Sequence, residues 1–353
     1  MNKILVTGGA GFIGSHTCLS LLKKGYEVVI IDSFCNSSKI SLKKVEEIIC
    51  ASNPNINYYL KVYEGDLKNI NFVDYVFIEE NCKGKPIDAV IHFAGLKSVK
   101  ESVESPLIYW DENILSTINL LKVMDKKTCR TLVFSSSATI YGLSKRLLIK
   151  EENKIKPINP YGNTKATIEL ILCDLFKSNP NKWKISNLRY FNPIGAHESG
   201  LIGENPIGIP NNIFPLILDV ASKNQSFLKI FGSNWPTKDG TGVRDYIHVM
   251  DLAEGHLVAL EHLFTNKPKI ISLNIGSGEG TSVLDLVKSF EKANGIKIPY
   301  LFEERRKGDV PRIVADNSQA LSLFSWSPKR NIESMCKDGW KWKLKNPNGY
   351  YKE

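Results

Sequence analysis

The chain has 353 residues, of which 42% are hydrophobic and 24% are charged. It is long enough to bury a sizeable core, and its length predicts two domains or one large domain with an added lobe. The formal net charge of +9 would by itself allow a nucleic-acid or membrane partner. However, the lysines are scattered, and the densest basic runs, Lys43-Lys44 and Arg305-Arg306-Lys307, are short. We therefore expect no nucleic-acid partner and a surface that favours anionic small molecules.

The cysteines, histidines and apolar runs exclude several classes of protein. The seven cysteines show no C-x-x-C spacing, so reduced thiols are expected rather than a disulfide framework. The six histidines have no ligand spacing with them, and no metal is expected. The first six residues do not resemble a signal peptide, and no apolar stretch reaches the roughly 18 residues of a membrane span. These features predict a cytoplasmic protein without a membrane partner.

The first half of the chain alternates short apolar runs with helical patterns. Continuous apolar runs are typical of parallel strands covered on both faces, and their alternation with helices predicts right-handed βαβ units. The predicted strands are Lys3–Val6, Val28–Ile31, Ala89–Phe93, Leu132–Ser135 and Ile185–Tyr190. The helical patterns between them include Ile13–Lys24, Asn113–Met124 and Thr164–Phe176. The predicted fold class is therefore α/β, with a doubly wound parallel sheet of Rossmann type.

The pattern changes after Phe191. Residues 192–242 are rich in Gly, Pro and Asn and are predicted to form mostly loops, with one helix near Phe214–Ala221. Helical patterns return at Val249–Phe264, Val283–Ala293, Ser318–Phe324 and Ile332–Leu344. We predict a cofactor-binding domain over residues 1–191 and a smaller mixed α/β substrate lobe over residues 192–353. Within the second, residues 244–275 are expected to pack back on the first domain.

A glycine-rich turn follows the first predicted strand. Gly8, Gly11 and Gly14 keep the G-x-x-G-x-x-G spacing and open a helix. In dinucleotide-binding proteins such glycines allow a tight turn, close approach of a pyrophosphate and close packing of the helix on the strand. The helix N-terminus then offers its N–H groups to the phosphates. Asp32, at the end of the second strand, would bind ribose hydroxyls and repel a 2′-phosphate, which favours NAD over NADP.

Tyr161 and Lys165 stand four residues apart, so their side chains would share one face of a helix. A nearby ammonium lowers the pKa of a phenol, which can then move a proton near neutral pH. The spacing alone also occurs by chance on amphipathic helices. A serine cluster at 135–137 lies upstream and offers further polar groups. Asp66 and Phe93–Lys97 follow other strands, and ligands of such sheets bind beyond the carboxyl ends of the strands.

Longer motifs carry a resemblance to a known family. The glycine turn, Asp32, Ile91–Lys97, Phe134–Thr139 and the Tyr161/Lys165 pair resemble the extended short-chain dehydrogenase/reductase superfamily. More specific motifs, spread over essentially the whole chain, resemble the UDP-glucose 4-epimerase family; they are Arg189–His197, Gly208–Asn212, Asp239–Asp251 and Arg305–Asp309. The resemblance implies NAD as cofactor and a UDP-hexose as substrate. It also implies inversion at C4 through a 4-keto sugar, which interconverts UDP-glucose and UDP-galactose in galactose metabolism, and a homodimer formed through helices.

The resemblance also implies roles for individual residues. Tyr161 would take the proton of the 4-hydroxyl while hydride passes from C4 to the nicotinamide, and would later return it. Lys165 would bind the nicotinamide ribose, and Ser137 would bind the sugar oxygen. Further cofactor-binding candidates are Phe12, Ile13, Asn36, Ser37, Leu67, Phe93, Ala94, Gly95, Lys97, Asn113, Ser135 and Phe191. Further substrate-binding candidates are Lys97, Tyr190, Asn192, Asn212, Ile213, Phe231, Arg244, Arg306, Asp309 and Ile313, with the two arginines toward the diphosphate and Phe231 against uracil.

Alternatives stay open at this point. In the family, a tyrosine at the position of Ile313 is associated with exclusion of N-acetylated sugars and a small residue with their admission, so isoleucine leaves UDP-N-acetylglucosamine 4-epimerase activity possible. A related dehydratase would carry Asp-Glu after the catalytic serine, where this chain has Ala138-Thr139, and a uronate decarboxylase would need groups for the sugar carboxylate that we cannot identify. A non-catalytic NAD-sensing regulator would have lost Tyr161 or Lys165. The stretch Ile40–Leu60 is longer than in compact family members and is expected to extend a helix or loop.

Overall fold

The computed structural model of the chain describes residues 2–143, 146–208, 210, 212–306 and 309–350. Parts of two sequence motifs therefore lie outside the described residues, namely positions 209 and 211 of one and 307 and 308 of the other. The chain divides into two compact units. The first comprises Met1–Gly142, Lys154–Arg189 and Ala253–Leu273, and the second comprises Leu143–Asn153, Tyr190–Leu252 and Asn274–Glu353.

The first unit is built on a seven-stranded sheet. Its strands are β1 Lys3–Thr7, β2 Glu27–Asp32, β3 Leu60–Glu64, β4 Ala89–His92, β5 Thr131–Ser137, β6 Lys184–Tyr190 and β10 Lys269–Ile275. Their order across the sheet is β10-β6-β5-β4-β1-β2-β3, and the pairs from β3 to β5 are parallel. The order reverses between β1 and β4, and such switch points are where these sheets bind ligands. The doubly wound Rossmann-type fold predicted from the apolar runs is confirmed.

Helices flank this sheet. They are α1 Phe12–Lys23, α2 Lys39–Ser52, α3 Ile70–Cys82, α4 Val99–Glu104, α5 Pro106–Trp110, α6 Ser116–Lys126, α7 Pro160–Ser178 and α9 Val249–Thr265. A π-helical turn, Asp111–Leu115, precedes α6, and a 3₁₀ turn, Ala138–Tyr141, follows β5. The sequence predicted one helix from Asn113 onward; the π-turn replaces its beginning and widens the backbone there. The long stretch Ile40–Leu60 consists of most of α2, a loop over residues 53–59 and the first residue of β3.

The second unit has a smaller mixed structure around β9 Val243–His248. Strand β9 pairs antiparallel with β11 Gly280–Ser282 and parallel with β7 Asn192–Ile194 and β13 Arg312–Ile313. Strands β8 Leu228–Phe231 and β12 Tyr300–Glu303 form a separate parallel pair. The helices are α8 Ile213–Ala221, α10 Val283–Asn294, α11 Ser318–Phe324 and α12 Ile332–Lys345. Strands β7 and β8 lie in the stretch that was predicted to form mostly loops with one helix. They were not predicted, because runs of three and four residues are too short for a periodic signal.

Each unit has its own apolar core. In the first unit the whole of β1 is buried, as expected for a strand covered on both faces. In the second unit, Phe214 of α8 and Phe290 of α10 pack edge to face with ring centroids 6.4 Å apart. Within the described part of the chain, no helix is long and apolar enough to cross a membrane.

Candidate active site

The glycine turn between β1 and α1 is closely packed. Gly8 has a φ of +69°, and a Cβ there would lie 2.8 Å from the backbone nitrogen of Ala94. A Cβ on Gly14 would lie 2.2 Å from the carbonyl oxygen of Gly8. No side chain caps the start of α1 at Gly11, so the first-turn amides lack a capping side chain and present a positive dipole end. These properties suit a site for a phosphate group.

Asp32 connects the glycine turn to the end of β2. Its carboxylate accepts hydrogen bonds from the amide of Ala10 at 2.9 Å, from the amide of Phe34 at 2.9 Å and from the hydroxyl of Ser37 at 2.8 Å. The side chain is buried. Asp32 therefore fixes the turn in addition to placing a negative charge beside it, and Ser37 takes part by orienting that carboxylate.

Helix α7 begins immediately before the predicted base. The side chain of Asn159 accepts a hydrogen bond from the amide of Gly162 at 2.8 Å, and Pro160 occupies the first helical position. This start places Tyr161 in the first turn, where the helix dipole favours a negative charge. Tyr161 and Lys165 are both buried, and the Lys165 Nζ lies 6.0 Å from the centre of the Tyr161 ring. Tyr161 and Lys165 therefore lie on the same face of α7, as their spacing of four residues predicted.

The surroundings of Lys165 are unusual for a buried ammonium. Its Nζ donates to the carbonyl oxygen of Ser135 at 2.9 Å and lies 4.9 Å from the centre of the Phe134 ring. Among the described residues, no carboxylate forms a salt bridge with it. Burial lowers the pKa of Lys165 from 10.5 to about 8. The lysine therefore carries a charge at neutral pH that is held by a carbonyl dipole and aromatic faces.

A buried histidine on β4, His92, links the end of β1 to α6. Thr117 donates its hydroxyl hydrogen to the carbonyl of Asn113 at 2.6 Å, so it accepts from His92 Nε2 at 3.0 Å. The other ring nitrogen then accepts from the Thr7 hydroxyl at 2.7 Å. Burial and, secondarily, the charge of Lys165 lower the pKa of His92 to about 3. His92 is neutral in any ordinary buffer and acts as a connector between β1, β4 and α6.

Ser137 ends β5, and its local contacts define the polar groups beside it. Its hydroxyl accepts from the Thr139 amide at 3.3 Å and from the Thr139 hydroxyl at 3.0 Å. The 3₁₀ turn that follows begins at Ala138, so neither residue directly after Ser137 offers a carboxylate. The strand is longer than the predicted Leu132–Ser135, and the whole serine cluster lies on it.

The side chain of Asn113 forms hydrogen bonds with other residues of the first unit. Its side-chain oxygen accepts from the Leu96 amide at 2.8 Å. Its side-chain nitrogen donates to the Leu96 carbonyl at 3.2 Å and to the Thr164 hydroxyl at 3.0 Å. Asn113 thus connects the loop after β4 to α7.

The remaining cofactor candidates of the first unit differ in burial. Leu67 and Ser135 are buried, and Leu67 belongs to the apolar core. Phe93 is half-buried, with its ring 4.7 Å from that of His256. Other half-buried candidates are Phe12, Ile13 and Ala94. The exposed ones are Asn36, Asp66, Gly95 and Lys97.

In the second unit, two pairs of substrate candidates come together. The guanidinium carbon of Arg306 lies 3.8 Å from the centre of the Phe231 ring. Arg244 Nη1 donates to the carbonyls of Val243 and Val310 at 2.9 Å each, and its Nη2 lies 4.0 Å from Asp309. Ile313 pairs with Arg244 across β13 and β9. The unit therefore holds two groups of candidates: Arg306 with Phe231, and Arg244 with Asp309 and Ile313.

The other candidates of this unit lie on three elements. Asn192 is exposed on β7, and Tyr190 and Phe191 precede it, half-buried and buried respectively. Asn212 is exposed at the start of α8, where its side-chain nitrogen donates to Glu204 at 3.3 Å, and Ile213 is half-buried behind it. No group of three or more potential metal-binding side chains occurs among the residues that the structure describes.

The sequence interpretation missed several buried polar residues. His92, Thr117 and Glu169 take part in the networks of the first unit but were not singled out. For Glu169 a signal existed, because it follows Tyr161 and Lys165 at the same spacing of four on α7. The contacts of His92 offered no local signal, since its partners Thr7 and Thr117 lie 85 and 25 positions away.

Comparisons with known proteins agree in placing this chain among nucleotide-sugar enzymes. The family model described as GDP-mannose 4,6 dehydratase matches residues 5–339. UDP-glucose 4-epimerase from Bacillus subtilis is 49% identical over 347 residues, which cover 98% of each chain. UDP-glucose 4-epimerase 2 from Arabidopsis thaliana is 48% identical over 348 residues, covering 99% of this chain and 97% of that protein. The crystal structure of UDP-glucose 4-epimerase from Bifidobacterium longum in complex with NAD+ and UDP is 46% identical, with a TM-score of 0.91, and the match covers 99% of this chain and all of that one.

Proposed function

The chain belongs to the UDP-glucose 4-epimerase family of the extended short-chain dehydrogenases/reductases, and on that premise we propose that it interconverts UDP-glucose and UDP-galactose with NAD as cofactor. The observation that carries the proposal is the buried Tyr161/Lys165 pair on α7, with Ser137 followed by Ala138-Thr139. A dehydratase of the superfamily needs carboxylates after that serine, so the absence of acidic residues at 138 and 139 favours epimerisation.

The residues around the glycine turn fit NAD. The start of α1 lacks a capping side chain, and added Cβ atoms on Gly8 and Gly14 would collide with backbone. We assign the amides of this turn to the pyrophosphate and the negative charge of Asp32 to discrimination against a 2′-phosphate. When bound, NAD supplies the acceptor and donor of the hydride at C4 of the sugar.

Each catalytic side chain then has one task. Tyr161 removes the proton of the 4-hydroxyl and later returns it, and the positive end of α7 favours its anionic form. Lys165 contributes a charge without a carboxylate partner among the described residues, so its field is not cancelled locally and stabilises the phenolate. Ser137 orients the sugar oxygen through its hydroxyl. In the second unit, Arg244 and Arg306 suit the diphosphate because a guanidinium binds phosphate oxygens in pairs, and Phe231 suits the flat uracil ring.

We also propose that the protein is a cytoplasmic homodimer. The support for a dimer is a strip of exposed apolar side chains on α4, α5, the π-turn and α7 of the first unit. Leu107 is 80% exposed and Leu170 is 66% exposed, and Val103, Ile108 and Leu115 add to the strip. A strip of this kind on helices is costly in water unless a partner covers it. Replacement of Leu107 and Leu170 by glutamate should yield a monomer in sedimentation analysis; an unmodified protein that sediments as a monomer would contradict the proposal.

The activity is tested by incubating the purified protein with UDP-galactose, without added NAD, and following the formation of UDP-glucose. We expect conversion, because NAD is regenerated in each cycle and stays bound. Tyr161→Phe should abolish turnover while bound NAD is retained. Absence of conversion by a protein that contains NAD would refute the epimerase proposal, and activity that survives in Tyr161→Phe would refute the assignment of the base.

A further inference from the structure

A buried ion pair connects β6 to α7, the helix that carries Tyr161 and Lys165. Arg189, at the end of β6, contacts Glu169 on α7 through two nitrogens: Nη2 donates to Oε2 at 2.6 Å, and Nε donates to Oε1 at 3.0 Å. Both side chains are only 6% exposed. Burial alone would lower the pKa of Arg189, but its hydrogen bonds to Glu169 and the charge of that carboxylate outweigh this and raise it. Arg189 therefore remains charged.

The ion pair forms one hydrogen bond with the serine cluster and one with the 3₁₀ turn that follows it. Ser136, the residue before Ser137, donates its hydroxyl to Glu169 Oε1 at 2.6 Å. Arg189 Nη1 donates to the hydroxyl of Tyr141 at 3.0 Å, and Tyr141 ends the 3₁₀ turn that begins after Ser137. Ser137 is thus bracketed in sequence by two residues that bind the same ion pair.

The three serines of the cluster consequently contact different partners. The Ser135 carbonyl binds Lys165, and the Ser136 hydroxyl binds Glu169 one helical turn further along α7. The two bonded residues are consecutive on β5 and one turn apart on α7. A shift of α7 along β5 would therefore break both hydrogen bonds. Ser137 is left with only its local bonds to Thr139 among those described for its hydroxyl.

A buried ion pair is a poor source of stability, because desolvation of the two charges offsets most of their attraction. Such a pair instead fixes the relative orientation of its two side chains, because a bidentate arginine–carboxylate contact has a fixed geometry. We propose that Glu169 and Arg189, acting through Ser136, are positioning residues that hold α7 in register with the end of β5, so that Tyr161 and Ser137 address the same hydroxyl of the substrate. The inference rests on the proposed epimerase function.

The same unit contains a matched ion pair for comparison. Lys3 Nζ lies 2.8 Å from Glu80, with the two side chains 2% and 0% exposed. Glu80 likewise accepts hydroxyl hydrogen bonds, from Tyr59 and Tyr63. Lys3 begins β1, whereas the glycine turn follows its other end. The Lys3–Glu80 pair is therefore at the amino-terminal edge of the parallel strands, opposite the edge at which such sheets bind ligands.

The experiment compares Glu169→Gln with Glu80→Gln, both measured for urea-unfolding midpoint, NAD content, and kcat and KM for UDP-galactose. We expect both to lose stability, but only Glu169→Gln to lose kcat, by about 10- to 100-fold, with KM changed less than about threefold, because small misplacements of catalytic groups act on the chemical step. Ser136→Ala, which keeps the ion pair, should lower kcat by about threefold to tenfold; its unfolding midpoint should fall as well, because a buried hydrogen bond to a carboxylate is lost.

Equal kcat values in the folded Glu169→Gln and Glu80→Gln proteins would overturn the positioning role. If Glu169→Gln does not fold, Ser136→Ala decides, and a kcat equal to that of the unmodified protein would overturn it as well. An unmodified, NAD-containing protein without epimerase activity would instead refute the proposed function, so the two failures are distinguishable.

Discussion

The substitution Lys165→Met should make the cofactor-free protein more stable while it removes activity. Lys165 is 5% exposed and bonds only the Ser135 carbonyl and aromatic faces among the described contacts. Its ammonium is therefore desolvated without a carboxylate to compensate. Methionine has a similar length and no charge, so the substitution relieves this penalty without opening a large cavity.

The magnitude follows from the lowered pKa of Lys165. Its pKa falls from 10.5 to about 8 on folding. Because each unit of pKa shift corresponds to about 1.4 kcal/mol, burial of the charged ammonium costs about 3 kcal/mol of folding free energy at pH 7. Loss of the hydrogen bond to the Ser135 carbonyl destabilises the variant by about 1 kcal/mol. The expected net gain in the free energy of unfolding is therefore about 2 kcal/mol. Between pH 8 and 10.5 the unfolded chain binds a proton that the folded chain has released, so the stability of the unmodified protein rises with pH and the advantage of Lys165→Met shrinks.

The assay is urea unfolding of NAD-free protein at pH 7 and pH 9.5, followed by circular dichroism. The control is Lys3→Met, which changes an equally buried lysine that does have a partner, Glu80 at 2.8 Å. That variant should lose stability, because it removes the closer of the two ammonium groups that contact the buried Glu80 and leaves only Lys83, at 3.3 Å. A loss of stability in Lys165→Met at pH 7, or a gain that is the same at both pH values, would refute the reasoning.

Three further predictions concern the same sites. Phe134→Leu removes the ring 4.9 Å from Lys165 Nζ. Loss of a cation–π contact of about 1 kcal/mol should lower the pKa of Lys165, and with it the alkaline limb of the kcat–pH profile, by about 0.7 pH unit. An alkaline limb that does not move would contradict this. Asp32→Ala removes the acceptor of three hydrogen bonds at the glycine turn, so NAD should be lost on dialysis that leaves the unmodified protein loaded; full retention would contradict this. Ile313→Ala should raise, and Ile313→Tyr should lower, turnover of UDP-N-acetylglucosamine relative to UDP-glucose; equal ratios in the two variants would exclude Ile313 as the determinant.

The sequence predicted those features of the fold whose causes are local or periodic. Apolar runs such as Lys3–Val6 predicted buried parallel strands, and the glycine spacing placed a turn and a helix start where β1 meets α1. The start of α7 could be predicted in the same way, since Asn159 and Pro160 supply a cap and a first helical residue in sequence. The spacing of four then determined that Tyr161 and Lys165 share a face.

Features that depend on distant partners could not be predicted. The family resemblance made Asn113 a cofactor candidate. Its side-chain bonds to Leu96 and Thr164 could not be predicted, because they join it to a loop and a helix that no local pattern connects to it. The segment 143–153 belongs to the second unit, although the residues on either side of it belong to the first. It does so through long-range pairing, such as that of Ile149 with Ala315. Neither relation has a signature within a short window of sequence.

Helix α7 shows why the electrostatics of the site required the structure. Its sequence carries Lys165 and, one turn later, Glu169, a spacing that on an exposed helix would predict a salt bridge between them. In the fold the two charges are separated: Glu169 is bound by Arg189 and Ser136, and Lys165 is left to a carbonyl and aromatic rings. Since the carboxylate is already paired with an arginine, the lysine charge remains available to the phenol of Tyr161. The Glu169–Arg189 ion pair and the Lys165 ammonium, which has no carboxylate partner in the described part of the chain, are therefore two parts of one arrangement. A loss of Arg189 should draw Glu169 toward Lys165 and weaken the base.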